Sequence, residues 1–165
     1  MDFSLSEEQE ILRDTIRAFA RDRVAPGAAE RDRKDLFPKE LIAEMAELGL
    51  MGMLVDERWG GADMGVVAYS IALTEVAAAC AGTAVTMSVS NMVAEAIARY
   101  GNDEQRERYL PELCSGRLIP GAFALTESGA GSDAGSLRTK AVRCDGGYRL
   151  SGEKVFCTSA SYSGL

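Results

Sequence analysis

Histidine is absent from all 165 residues. That removes Ser-His-Asp and Cys-His catalysis, and imidazole-based metal sites, from the chemistry this chain can carry. Cysteine is sparse: Cys80, Cys114, Cys144 and Cys157 stand far apart with no Cys-x-x-Cys pair. They are expected to be free packing thiols of a reducing compartment rather than metal ligands or disulfides. No basic-then-apolar segment opens the chain, since "MDFSLSEEQE" is acidic and amphipathic, and a cytoplasmic location is expected. A basic stripe is also missing. With a net charge of -7 and a pI near 4.7 there is nothing to neutralise phosphates, which excludes nucleic acid as a partner. Long apolar runs are missing too. Between Asp63 and Glu95 the only charged side chain is Glu75, but a membrane span needs about 20 continuous apolar residues. Here "AGT" at 81–83 breaks the run, and Ser70, Thr74, Ser88, Ser90 and Asn91 interrupt it, so no membrane span is expected.

What is present is the composition of a globular protein, 47% hydrophobic and 26% charged. A chain of this length buries roughly 70% of its unfolded surface and needs neither metal nor disulfide to hold a core. The first two-thirds read as helix. Ser6 followed by Gln9 forms a capping box, and Ile11, Leu12, Ile16, Phe19 and Ala20 line one face of a helix that Pro26 ends. A second helix begins near Pro38, carries Leu41, Ile42, Met45 and Leu48 as a stripe, and stops at Gly49. Residues 50–64 read as a glycine-interrupted connection. Two buried helices fit residues 64–94 and beyond. Ala77, Ala78 and Ala79 would let the first lie close to its neighbours, and Val85, Val89, Met92, Val93, Ala96 and Ile97 keep a helical spacing in the second. Glu75 in such a helix is expected to be a hydrogen-bonded structural group rather than a catalytic acid. Asn102, with Gln105 three residues on, caps a further helix running to about Ser115, which Pro111 should kink or shorten.

After Gly116 the character changes. "IPGAFALT", "SLRTKAVRC", "GGYRLSG" and "EKVFCTS" read as short strands between glycine-rich turns. A domain boundary falls near Arg117 to Pro120. The expected fold is α+β: a helical N-terminal domain over 1–117, then the first strands of a β-barrel-like domain over 118–165.

The densest run of small and polar residues is "ALTESGAGSDAGS", 124–136. It lacks the Lys-Ser/Thr ending of a P-loop. Gly129, Gly131 and Gly135 give a GxGxxxG spacing, one residue longer than the dinucleotide fingerprint, and a strand rather than a helix follows. What remains is strand-loop-strand, with glycines permitting close backbone approach. Local chemistry fits a plain β-turn as well as a ligand loop.

A wider pattern decides between them. "FALTESGAGSDAGSLRTKAV" followed by "GYRLSGEKVFCTSA" resembles the signature of the acyl-CoA dehydrogenase family. "FSLSEEQEILRDTIRAFARDRVAP", "ERWGGADMG" and "YGNDEQRERYLPELCSGRLIPGAFALTE" agree with it in order, so the resemblance covers essentially the whole chain. It implies a helical N-terminal domain, a middle β-domain and a C-terminal four-helix domain. It also implies FAD, an acyl-CoA substrate, an electron acceptor such as an electron-transfer flavoprotein, and a homo-oligomer, a tetramer in the family.

The resemblance assigns roles to residues. The stretch Phe123, Ala124, Leu125 and Thr126 would lie along the flavin, with Thr126 bonded to its pyrimidine edge, where donors stabilise negative charge. Gly129 and Gly131 would let the backbone pass close to cofactor and thioester. Ser132 matches a position that contacts both cofactor and the CoA part of the substrate. Phe156, Cys157 and Thr158 match a second flavin segment, with ring packing from Phe156 and the Thr158 hydroxyl near N5. Ser88, with Met87 and Val89, matches the floor of the acyl pocket. "MSVSN" is similar to members acting on short acyl groups and is equally compatible with core packing.

Three departures stand out. Phe156 replaces a tryptophan common in the family, and Ser128 a proline. Family members are also considerably longer. In them the base that removes the α-proton belongs to the C-terminal domain, so none of the carboxylates here is expected to act as base, Glu127 and Asp133 included. The chain is then expected to be an N-terminal part, not by itself a competent catalyst. A flavin monooxygenase or acyl-CoA oxidase of the same fold, and a nonenzymatic interaction module, remain the alternatives.

Overall fold

The computed structural model describes residues 4–118 and 120–164. Ser6 caps α1 (Glu7–Phe19): its Oγ accepts the Gln9 N–H at 3.2 Å while Gln9 Oε1 accepts the Ser6 N–H at 3.0 Å. The helix then widens into a π turn over Ala20–Val24, where the Ala25 N–H reaches back five residues to the Ala20 carbonyl at 2.8 Å. That turn keeps Ala20 and Val24 on the buried side with Ile16, whereas Ile11, expected on the same face, is 62% exposed.

A helix not foreseen in the sequence follows, α2 (Ala28–Lys34), entered through Gly27 at φ +76°. It buries none of its residues. α3 (Lys39–Glu47) buries Leu41, Ile42 and Met45 as expected, but Leu48 lies beyond its end and is half exposed. α4 (Gly65–Ala79) packs between α1 and α5 (Ala81–Tyr100), and α6 (Asp103–Cys114) packs on α5. α6 opens with the expected capping box, Asn102 with Gln105. It runs through Pro111 unshortened to Cys114.

The long apolar stretch differs from expectation in three ways. Its break lies at Cys80, which is extended at φ −160°, and Ala81–Thr83 form the first turn of α5. The small residues that allow close packing are Ala68 and Ala72, in line with Val76; Ala77 and Ala78 face outward. α5 buries Thr83, Ala84, Thr86, Met87, Ser90, Asn91, Val93 and Ala94 and leaves Val85 and Met92 exposed. Neither helix is therefore buried all round, and Val66 and Val67 on α4 also meet solvent. Among the described residues no helix is long and apolar enough to cross a membrane.

The core is methionine-rich. Met45, Met51, Met53 and Met87 are fully enclosed with Ile16, Ile42, Leu50 and Val76, and unbranched thioethers suit the irregular space between helices and loop. A second cluster joins Val55, Val93, Ala94, Leu110, Leu113 and Cys114. Burial pushes the Cys114 thiol up to about 11.

Residues 50–64, expected as a mere connection, supply part of both clusters. The N–H groups of Ala62, Asp63 and Met64 donate to the carbonyls of Gly52, Val55 and Met53 at 2.9, 3.0 and 2.9 Å, folding the segment on itself. Asn91 ties it to α5: its Oδ1 accepts the Met53 N–H at 3.1 Å and its Nδ2 donates to Leu50 O at 2.7 Å and Met87 O at 3.1 Å. A buried loop survives because its polar groups are satisfied in this way. Glu75 is structural as expected, held by Arg17 through two bonds of 3.0 and 2.8 Å.

Beyond residue 118 the described residues contain one antiparallel hairpin, β1 (Lys140–Cys144) with β2 (Gly147–Ser151), closed by Asp145 and Gly146. Gly146 at φ +80° supplies the left-handed conformation that a two-residue turn favours. Four strands were expected. The outer two, expected over 119–126 and 153–159, are not strands: 121–126 and 153–157 carry no regular secondary structure and meet through one bond, Val155 N–H to Thr126 O at 2.9 Å, and 158–159 enter a turn. Ile119 lies outside the described residues. Both strands of the hairpin are exposed on both faces.

Candidate functional site

The two motif segments lie side by side. The Val155–Thr126 bond brings Phe123–Thr126 next to Phe156–Thr158, although about thirty residues of chain separate them. Phe123 and Leu125 are 41% and 40% exposed, and Thr126, Cys157 and Thr158 are half-buried. Phe156 is 91% exposed and sits at φ +54°. A bulky residue held in the left-handed region with its ring in open space carries backbone strain of the kind that gathers at ligand clamps.

A turn from Glu127 to Ala130 follows, closed by the N–H of each residue donating to the carbonyl of the other at 3.1 Å. Ser128 and Gly129 form its tip, and Gly131 and Ser132 continue as an exposed bend. A Cβ built on Gly129 or Gly131 would meet nothing within 4 Å, and neither glycine has a positive φ. Neither the fold nor the backbone therefore demands glycine at these positions. They leave open space along the same stretch that carries Phe123–Thr126.

Glu127 holds this region together, a role the sequence did not suggest. Its side chain is 9% exposed and accepts the N–H groups of Arg138 at 2.7 Å and Thr139 at 2.9 Å, and the Lys154 ammonium at 2.9 Å. Lys154 Nζ also donates to Leu125 O at 2.7 Å. One carboxylate thus joins the turn, the segment entering β1 and the segment leaving β2. The Thr139 hydroxyl lies against it without hydrogen-bond alignment; with the Lys154 ammonium and the two backbone N–H groups it holds the Glu127 carboxyl far below its ordinary range. Asp133 is engaged nearby, accepting a short hydrogen bond from the Ser136 hydroxyl.

A carboxyl with a depressed folded-state pKa contributes stability that is complete above its unfolded value near 4.5 and is lost as pH falls below that. Hairpin protection against hydrogen exchange should therefore weaken steadily from pH 5 to pH 3. In Glu127→Gln it should be weaker at neutral pH and nearly flat over the same range.

Ser88 occupies the outward side of α5, half-buried between the exposed Val85 and Met92. The link from α5 to the glycine region runs through its neighbour Ser90, whose Oγ accepts the Gly121 N–H at 3.2 Å. Gly121 in turn packs on Val93. Among the described residues no group of acidic, cysteine or histidine side chains could hold a metal ion.

A helical unit leading into a small antiparallel β-unit, joined by an open glycine turn, is an arrangement shared with known proteins over both parts. Residues 6–117 match the sequence model of the acyl-CoA dehydrogenase N-terminal domain, and residues 122–165 that of the acyl-CoA dehydrogenase middle domain. The chain belongs to the acyl-CoA dehydrogenase family. It is 44% identical over 156 residues to the acyl-CoA dehydrogenase of Bacillus subtilis (strain 168), covering 94% of this chain and 41% of that one. Its fold is similar to butyryl-CoA dehydrogenase from Megasphaera elsdenii, with TM-score 0.89, 36% identity, and 99% of this chain and 44% of that chain covered. It is also similar to a glutaryl-CoA dehydrogenase from Mycobacterium smegmatis in complex with FADH2, with TM-score 0.91, 31% identity, and 96% and 41% covered. The chain thus spans less than half the length of these relatives.

Proposed function

We propose that this chain forms the flavin-facing part of an FAD-dependent acyl-CoA dehydrogenase. Residues 1–117 are its helical domain and 118–165 the opening of its β-domain. The observation that carries the proposal is the pairing of Phe123–Thr126 with Phe156–Thr158 through the Thr126 carbonyl, beside a glycine turn with open space where side chains would otherwise stand. A flat ring system needs such a pair of neighbouring segments and an unobstructed backbone.

When bound, FAD supplies the acceptor for a hydride leaving the β-carbon of an acyl-CoA thioester as the α-proton is removed. The chain's own residues bind and orient. Thr126 and Thr158 offer hydroxyls to the flavin edge, and Phe156, already exposed and left-handed, offers an aromatic face. Gly131 and Ser132 let backbone and hydroxyl approach the pyrophosphate and the CoA portion, and Ser88 bounds the acyl end. Glu127 positions the loop and takes no proton, because its carboxylate is already saturated by donors. The proton-abstracting carboxylate, an electron-transfer flavoprotein as acceptor, assembly into a homo-oligomer and a cytoplasmic setting belong to the same proposal, supported by membership of the family and by the share of the relatives that this chain covers.

Titrating FAD into the protein and following the quenching of flavin fluorescence tests this. Gly131→Val, at an open position with ordinary φ, should leave thermal unfolding unchanged and weaken FAD binding about tenfold, equivalent to roughly 1.4 kcal/mol. Equal FAD affinity in the two proteins would remove the glycine turn from the site.

A further inference from the structure

A cavity of about 340 Å³ lies away from the glycine turn, between α2, the loop after it, the N-terminus of α5 and the turn at Ser159–Tyr162. Phe37 and Tyr162 stack beside it, with ring centroids 4.4 Å apart and planes inclined by 11°. Cys80 lines it from the N-cap position of the twenty-residue helix α5, and the thiol is half-buried. Thr83 and Arg31 line the same space. Thr83 is 1% exposed, and its hydroxyl has no hydrogen-bond partner. Arg31 spends two of its nitrogens on the carbonyls of Pro26 and Val24, but its buried Nε–H also has none. Two buried donors therefore lie behind the wall of the cavity, against the Cys80 sulfur but without hydrogen-bond alignment to any acceptor. A buried donor without an aligned acceptor is costly, so these two call for a role.

Partial burial pushes the Cys80 thiol up, but the Thr83 hydroxyl and N–H and the Arg31 guanidinium outweigh it, and the net displacement is downward. Asp32, Asp35 and Tyr162 are the other titratable groups lining the cavity. The remaining thiols lie outside this cavity: Cys114 is buried and pushed up, Cys144 lies exposed on the hairpin, and Cys157 is half-buried in the second motif segment.

We propose that Cys80 is a peroxide-oxidisable thiol whose sulfenate oxygen is received by the Thr83 hydroxyl and the Arg31 Nε–H. The thiolate sulfur attacks one oxygen of hydrogen peroxide, and an S–O bond forms as the O–O bond breaks. The sulfur is oxidised by two electrons, and the leaving hydroxide takes a proton to depart as water. The cavity has room for peroxide, and the two spare donors match one anionic oxygen on the sulfur. The proposal stands independently of flavin binding.

The test exposes the folded chain to a small excess of hydrogen peroxide at neutral pH with a dimedone sulfenate trap, then compares the four cysteine peptides by mass spectrometry. Cys80 should be trapped about tenfold more than Cys144, as expected for a donor-stabilised thiolate against an ordinary exposed one. Thr83→Val, nearly isosteric, should cut Cys80 trapping several-fold without changing Cys144, and Thr83→Ser should restore it. Circular dichroism confirms that each variant is folded before labelling. Equal trapping at Cys80 and Cys144, or a Cys80 signal indifferent to Thr83→Val, or one arising only as the chain unfolds, would overturn the proposal.

Discussion

Replacing Asn91 by leucine is expected to destabilise the chain by about 4 kcal/mol, because it strands the buried Met53 N–H and Leu50 carbonyl, each costing roughly 1–3 kcal/mol. Asn91 is 2% exposed. Leucine shares the branched skeleton but carries bulkier methyls, so the loss comes from unmade hydrogen bonds and overpacking rather than from a cavity. The damage should be local in origin and global in effect: residues 50–55 place Leu50, Met51, Met53 and Val55 in the two core clusters, and these side chains leave the core if the loop lifts. Urea unfolding should show a lower midpoint with an unchanged slope. Asn91→Asp keeps the acceptor for Met53 but sets a buried carboxylate against the Leu50 and Met87 carbonyls, and should cost at least as much. A leucine variant within 1 kcal/mol of the parent would show that the loop holds itself.

Gly61→Ala should cost about 3 kcal/mol or more, at the upper end for added core atoms. A Cβ at this position would stand 1.9 Å from the Val55 carbonyl oxygen and 2.4 Å from its carbon. The obstacle is backbone, and that same carbonyl accepts the Asp63 N–H at 3.0 Å, so it cannot withdraw without opening the fold-back of 52–64. The effect is steric and not conformational, since Gly61 has no positive φ. Thermal unfolding should begin roughly 10 °C lower, at 2–4 °C per kcal/mol for a chain of this size. Because Gly61 and Asn91 hold one loop, the double variant should lose less than the sum of the two single losses. Simple additivity would place them in separate units.

These two residues show where the sequence could and could not be read. Capping boxes at Ser6 and Asn102 are local chemistry, written in adjacent residues, and both formed where expected. The stripe Leu41, Ile42, Met45 follows from a 3.6-residue period that burial enforces. α2 was missed because "AAERDRK" buries nothing, so it has no stripe to detect; it is held instead by Gly27 and by the Arg31 contacts to Val24 and Pro26. α5 misled in the opposite direction, because its inward face is polar and small: Thr86, Ser90 and Asn91 point inward, and the last two serve loops whose position no local pattern discloses. The glycine turn was legible as a motif and ambiguous as chemistry. Its partnership with 153–158, and the role of Glu127 in joining them, depend on contacts across the chain that spacing alone does not encode.

The hairpin has one further consequence. With every residue of both strands in contact with water, β1 and β2 gain almost nothing from apolar burial, and a lone two-stranded ribbon is at best marginally stable. What closes it is the Glu127–Lys154 knot at its base, the same knot that sets the glycine turn and its neighbouring segments. Opening of the ribbon and loosening of the loop are therefore one event. Mass action then works in both directions: a molecule that settles on the loop also holds the ribbon shut, and a protein or chain segment that clasps the ribbon tightens the loop for its ligand.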